Sequence, residues 1–265
     1  MTTAGAPPPE AVIEVSRLCT RFGATRIHED VSLTVHRGEI FALAGGSGCG
    51  KTALLREILM LQRPTSGSIR LFGQELSALS EAGEEALRRR FGVMFQQGGL
   101  FSSLTVAENV AVPLREHTRF GDRLIREIAE LKIALAGLPP ESAGKYPNEL
   151  SGGMRKRTSM ARAIALDPEI LFLDEPSTGL DPLSASGLDE LIMHLKELLG
   201  LTIVMVTHDL DTLWRVTDRV ALLGEGRILG GGTMKELYRS EDPLIHRFFH
   251  GPRGRAARDQ VWKQN

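Results

Sequence analysis

Residues 45 to 52 read Gly45-Gly46-Ser47-Gly48-Cys49-Gly50-Lys51-Thr52: a glycine, four residues, a second glycine, a lysine and a hydroxyl side chain. This is the P-loop pattern, and its flanks suit it. Glu39 to Ala44 (EIFALA) is a short apolar run of the kind that forms a buried strand. Ala53 to Leu61 then spaces Leu54, Leu55, Ile58 and Leu61 as a helix does. A polyphosphate held by such a loop lies against main-chain N–H groups, which a β-carbon would hold off and glycine does not. The amides form an anion nest at the positive end of the helix. Lys51 is placed to bridge the β- and γ-phosphates of a bound triphosphate, and the Thr52 hydroxyl to ligate Mg²⁺.

The composition is that of an ordinary globular chain of 265 residues, 42% hydrophobic and 25% charged, long enough for a large core. A net charge of −1 supplies no basic field for nucleic acid. Two cysteines, Cys19 and Cys49, cannot make a disulfide framework and fit a reducing compartment. No apolar run approaches the ~20 residues of a membrane-spanning helix. The opening MTTAGAPPPE has neither the positive nor the apolar region of a secretory signal, and residues 1–10 read as a disordered lead-in. Residues 251–265 carry Arg253, Arg255, Arg258 and Lys263 against Asp259 and read as a basic, disordered tail.

Outward from the P-loop, Ala11–Leu18, Val31–Val35 and Ser68–Phe72 alternate as strands and suggest an antiparallel layer. Between the first two lies Arg21-Phe22-Gly23, where Phe22 is either an adenine-stacking face or a small apolar anchor. Phe91–Phe95 is a buried strand ended by Gln96-Gln97-Gly98-Gly99. Residues 97–155 then read as all-helical, with a capping box at Thr105–Glu108, a break at Pro113 and an amphipathic helix over Asp122–Ala136. That helix is expected to turn Leu124, Ile125, Ile128, Leu131 and Leu135 inward. Ser151-Gly152-Gly153 opens a basic helix whose exposed amides make either a second anion site or an ordinary capped helix end.

Ile170–Leu173 is a buried strand running into Asp174-Glu175, at the end where ligands bind in such sheets. Asp174 is suited to hold Mg²⁺ through water, and Glu175 to polarise an attacking water. Asp181 caps a long helix with Pro182 at its first position. Leu201–Val206 is another buried strand, followed by His208, placed to reach a γ-phosphate or hold the water. The pattern predicts an α/β fold: a P-loop NTPase core with a mostly parallel sheet flanked by helices, an antiparallel β layer, and an inserted all-helical subdomain.

In this order the motifs resemble the ATP-binding cassette family over nearly the whole chain, residues 11–250 forming the ATPase domain. The resemblance implies that Phe22 stacks on adenine, that Gln96 senses Mg²⁺ and the membrane partner, and that Glu175 is the general base and His208 the switch histidine. Ser151, Gly152 and Gly153 would form the signature that meets ATP on another protomer, with Asp181 in the D-loop, so that two copies sandwich two ATP molecules head to tail. The signature reads LSGGM, with Met154 where the family usually has glutamine. With FQQGGLFSSLTVAENVAVPLREH upstream, it is similar to the ATPases of Mce/Mla-type phospholipid transporters. That similarity implies a permease, an MCE-domain partner, a small STAS-domain subunit and a place on the cytoplasmic face of the inner membrane. In some of those ATPases a C-terminal extension clasps the neighbouring protomer, the alternative to disorder for the tail. Other ABC importers or exporters, and ABC proteins acting on ribosomes or DNA, are the competing readings.

Overall fold

The computed structural model describes residues 9–250. The expected disordered lead-in falls mostly, and the basic tail wholly, outside the described residues. The elements in chain order are β1 (Ala11–Phe22), β2 (Thr25–His36), β3 (Ile40–Ala44), α1 (Lys51–Ile58), β4 (Ser66–Leu71), β5 (Gln74–Glu75), α2 (Glu81–Arg88), β6 (Phe91–Met94), α3 (Val106–His117), α4 (Asp122–Leu135), α5 (Gly152–Ala163), β7 (Ile170–Asp174), α6 (Pro182–Leu199), β8 (Thr202–Thr207), α7 (Leu210–Val216), β9 (Arg219–Gly224), β10 (Arg227–Gly232), α8 (Met234–Tyr238) and α9 (Pro243–Phe249).

Two sheets organise the chain. One has the order β10-β9-β3-β8-β7-β6. Its strands β9, β3, β8, β7 and β6 run parallel, and β10 closes one edge antiparallel to β9. The other is antiparallel in the order β2-β1-β4-β5. Every residue of β3, β7 and β8 is buried, which is why those segments are unbroken apolar runs with no alternation. The period of two survives in their destinations. Phe41, Leu43, Phe172, Val204 and Val206 enter the cluster shared with α1 and the antiparallel sheet. Ala42, Ala44, Leu171, Leu173, Ile203 and Met205 enter the opposite cluster, under α6 and α7.

A third apolar cluster belongs to α3, α4 and the second half of α5, with Val106, Val110, Leu114, Ile125, Ala129, Ile133 and Ala161. Two expectations fail there. α3 runs through Pro113 to His117, because burial of Val110, Ala111 and Leu114 around it outweighs one missing hydrogen bond. α4 buries Ile125, Ala129, Lys132 and Ile133, leaving Leu124 and Leu131 exposed at 43% and 56%. Only a narrow stripe of α4 meets α3 and α5, and the long stem of Lys132 takes a place in it, its ammonium paired with Asp167.

Candidate functional site

β3 delivers the chain to the P-loop, and α1 carries it away. The glycines at the two ends of that loop are required by the protein itself. A β-carbon on Gly45 would stand 2.3 Å from the Leu223 carbonyl oxygen, and one on Gly50 2.6 Å from His28 Nε2. Both residues have positive φ, 155° and 107°. Gly46 and Gly48 face open space, and there the glycine leaves room for a ligand. Ser47 is exposed, and Cys49 turns its thiol back against the apolar cluster and Gly45. α1 has no side-chain cap and no acidic residue in its first turn, so its leading amides remain available to an anion. Lys51 is 7% exposed, its ammonium donating to the carbonyls of Gly45 and Gly46 at 2.9 Å each. Thr52 is exposed at the head of the helix.

A buried relay supports this loop from below, and none of its members was singled out by motif. His28 Nε2 lies 3.1 Å from the Gly50 carbonyl oxygen and Nδ1 2.8 Å from Thr20 Oγ1. Thr20 in turn donates to Glu57 Oε1 at 2.7 Å. All three side chains are buried, so β1 and β2 hold both ends of α1 through one chain of hydrogen bonds.

The acidic pair stands where parallel strands end side by side. Asp174 pairs in register with Val206, two residues before His208. Glu175 has a φ of +48°, unusual for a side chain of its size, and its amide donates to the Val206 carbonyl at 2.8 Å. Its carboxylate is held on both oxygens: His208 Nδ1 is 2.8 Å from Oε1, and Thr178 and Thr207 hydroxyls donate to Oε2 at 3.2 and 3.4 Å. His208 is half exposed at the rim. Asp174 is buried, and its Oδ1 has no hydrogen-bond partner among the described residues. Burial pushes its carboxyl above the ordinary value and Glu175 adds to the rise, against Arg56, Lys51 and Lys156, which lower it.

Gln96 follows β6 with an exposed side chain, and its carbonyl accepts from the Lys156 ammonium at 2.6 Å. Burial lowers the Lys156 ammonium from its ordinary value, a shift that Asp174 and Glu175 oppose. Phe22 ends β1 at the tip of the β1–β2 hairpin, 51% exposed. Ser151 caps α5, its hydroxyl accepting from the Met154 amide at 3.2 Å, and it is exposed. Gly152 and Gly153 lie against Leu180 and Ser184. Asp181 caps α6 through the Ser184 amide and hydroxyl at 3.0 and 2.6 Å. A cleft of about 170 Å³ lies between the loop after β6 and the start of α5, lined by Gln96, Gly152, Lys156, Thr178 and Leu180 among others. A larger cleft of about 210 Å³ lies between the end of α1 and β4, and none of the P-loop, signature or acidic-pair residues lines it.

Because β3, β8 and β7 are neighbours, the P-loop after β3, the acidic pair at the end of β7 and His208 after β8 lie at one edge of the sheet. Thr178, Lys156 and the His28 relay carry no motif, because each acquires its partner only when distant segments fold together.

Comparison with known proteins fits this geometry. A family model described as ABC transporter matches residues 28–178. The probable ribonucleotide transport ATP-binding protein mkl of Mycobacterium tuberculosis is 41% identical over 246 residues, 93% of this chain and 68% of that protein. The intermembrane phospholipid transport system ATP-binding protein MlaF of Haemophilus influenzae is 39% identical over 240 residues, 91% of this chain and 90% of its own. The methionine import ATP-binding protein MetN of Bifidobacterium longum is 40% identical over 227 residues, 84% of this chain and 55% of its own. Among solved structures, the dimeric ATP-binding cassette MJ0796 bound to ADP and Pi superposes with a TM-score of 0.76 at 29% identity, over 83% of this chain and 98% of that one. The cbiO1 component of the cbiONQ transporter complex from Clostridium perfringens gives 0.79 at 27% identity, over 95% and 99%. A P-loop, an acidic strand end with its histidine and a serine-capped glycine pair, in a chain that the ABC transporter model matches over residues 28–178, make it a member of the ABC transporter family, an ATP-binding and ATP-hydrolysing cassette.

Proposed function

We propose that this chain powers phospholipid transport as one of two identical ATPase subunits. The pair would sit on the cytoplasmic face of the inner membrane, beneath a separate permease that works with an MCE-domain carrier and a small STAS-domain subunit. Residues 11–250 would be the working domain, with the helical part at 97–155. Among the described residues no helix is long and apolar enough to cross a membrane, which fits a peripheral subunit.

The observation that carries the dimer is the presence of two anion-receptive helix ends in one chain. α1 is uncapped beside Lys51, and α5 presents the exposed Ser151. Head-to-tail pairing sets Ser151, Gly152 and Gly153 of one copy against the terminal phosphate held by the other, with Asp181 beside them. Phe22 stacks on the adenine. Gly45 to Thr52 cradle the phosphates, and Lys51 neutralises the β–γ bridge. Glu175 accepts the proton of water as its oxygen bonds to the γ-phosphorus and ADP departs. Oε1 of Glu175 keeps a lone pair for this beside the His208 contact. Thr52, Gln96 and Asp174 would hold Mg²⁺, and the orphaned, buried Oδ1 of Asp174 is what such a cation and its water would satisfy. The bound cation would supply charge neutralisation at the phosphates.

Closure is favoured by ATP because only the closed pair gives its terminal phosphate both helix ends. Gln96, with Phe101, Leu104 and the helices that follow, would receive a helix of the permease. Support for phospholipid comes from the LSGGM signature and from the likeness to MlaF. The likeness to mkl and MetN at similar identity favours a small-solute transporter as the second reading. Purifying the chain with its membrane partner and measuring ATPase activity separates them. Stimulation through an MCE-domain subunit and phospholipid supports the first, and stimulation by methionine or ribonucleotides alone would replace it.

A further inference from the structure

α5 turns one stripe of donors toward the loop after β6. Lys156, Ser159 and Arg162 are three residues apart and so share a face. Lys156 Nζ donates to the Gln96 carbonyl at 2.6 Å, and Ser159 Oγ to the Gly98 carbonyl at 3.1 Å. The two terminal nitrogens of Arg162 donate to Gly99 and Gly98 at 2.7 and 2.8 Å. Gly98, with φ of +75°, permits this approach, since a β-carbon there would stand 2.6 Å from Ser159 Oγ. These contacts fasten the loop to α5, but Lys156 does one thing more. Its ammonium, on a residue 8% exposed, also donates to the Glu175 carbonyl at 3.3 Å.

One nitrogen thus bonds the main chain of two residues whose side chains converge on the reaction. Burying an ammonium against neutral carbonyls is costly, and a methionine of similar length would fill the same space without that cost. What methionine cannot do is hold two carbonyl groups at one point: it would take the Lys156 donor from the Gln96 carbonyl and leave the Glu175 carbonyl to the Thr178 amide at 3.3 Å. We propose that Lys156 is a positioning residue for ATP hydrolysis, its ammonium setting the spacing between the backbones of Gln96 and Glu175. This rests on the roles given above to those two side chains. Ser159 and Arg162 anchor the loop to α5 alone and do not cross to β7.

The test compares Lys156→Met, Lys156→Arg and Ser159→Ala with the parent protein in steady-state ATP hydrolysis, with folding checked by circular dichroism. Lys156→Met should lose about tenfold or more in kcat, the scale set by small misplacements of reacting groups, while KM for ATP stays within about twofold. Lys156→Arg, which keeps the donors, should recover part of the loss, and Ser159→Ala should stay near the parent. Undiminished kcat in Lys156→Met, or an equal loss in Ser159→Ala, would overturn the bridge. If Lys156→Met does not fold, Lys156→Gln takes its place, keeping an N–H donor on a shorter stem. It should lose kcat at unchanged KM, and full turnover in it counts against the proposal equally. The reading of Glu175 as base is judged separately: Glu175→Gln must lose about 10²–10⁴ in turnover whatever Lys156 does.

Discussion

Glu175 combines three features that its motif alone does not reveal. It occupies left-handed backbone space, at a cost of about 1–3 kcal/mol for a non-glycine residue. Its carboxylate is held by two threonines and a histidine, and its carbonyl by a buried lysine. Such a side chain is aimed before substrate arrives. Glu175→Gln should therefore leave ATP affinity unchanged in a binding titration, while turnover falls by about 10²–10⁴, the usual worth of a positioned base. Normal turnover would remove Glu175 from that role. Asp189 makes a different prediction, about stability. It is buried, accepts from the Thr212 hydroxyl, and burial raises its carboxyl from 3.8 to about 6. The folded state thus binds this proton more tightly than the unfolded chain does. Asp189 favours folding below the unfolded value, and that advantage is lost as pH rises toward 6, leaving its ionised form a burden at neutral pH. Asp189→Asn should raise the melting temperature at pH 7, by an amount equivalent to about 1–3 kcal/mol, and flatten the fall in stability between pH 4 and pH 6. The residues legible from sequence were those with fixed spacing, such as Lys51 after its glycines. Lys156 was not, because its partners lie 60 and 19 positions away.

At the scale of elements, periodicity located most helices and strands to within a residue or two, since caps such as Ser80, Thr105, Ser151 and Asp181 all act as their types suggest. It drew the inward stripe of α4 too wide: Ile125 is buried and Ile128 and Leu135 pack against the apolar clusters, but Leu124 and Leu131 face out. Leucine marks a face as apolar, yet burial depends on which neighbour covers it, and the neighbour is not written in the helix. Ile133→Ala should cost about 2–4 kcal/mol in denaturant unfolding, as a cavity in the helical cluster, whereas Leu131→Ala should cost under about 0.5 kcal/mol. Equal costs would mean that the exposed stripe is covered in solution. The long reach of β1 and β2 was also hidden, because register shifts interrupt the alternation at Leu18, Thr20 and Arg21.

For the whole molecule, sequence order showed that strands and helices alternate, but not that β3 lies between β9 and β8. Strand order follows from crossovers that no local pattern contains. That order brings Lys51, Asp174 and His208 to one edge. The proposed pairing of two copies can be read directly. In a Glu175→Gln background, ATP should shift the protein to a dimer in size-exclusion chromatography. Adding Ser151→Arg should abolish the shift while nucleotide binding persists, and a dimer that survives would place the contact elsewhere.

The His28–Thr20–Glu57 relay bears on how this protein can be divided. A fragment from residue 38 onward would keep the whole P-loop stretch from Gly45 to Thr52. It would nonetheless strip the hydrogen bonds by which Thr20 and His28 tether Gly50 and Glu57 to β1 and β2, turning a stiff cradle into a loose one. The minimal nucleotide-binding unit therefore begins upstream of its own signature stretch, and excising the motif would not transplant the affinity.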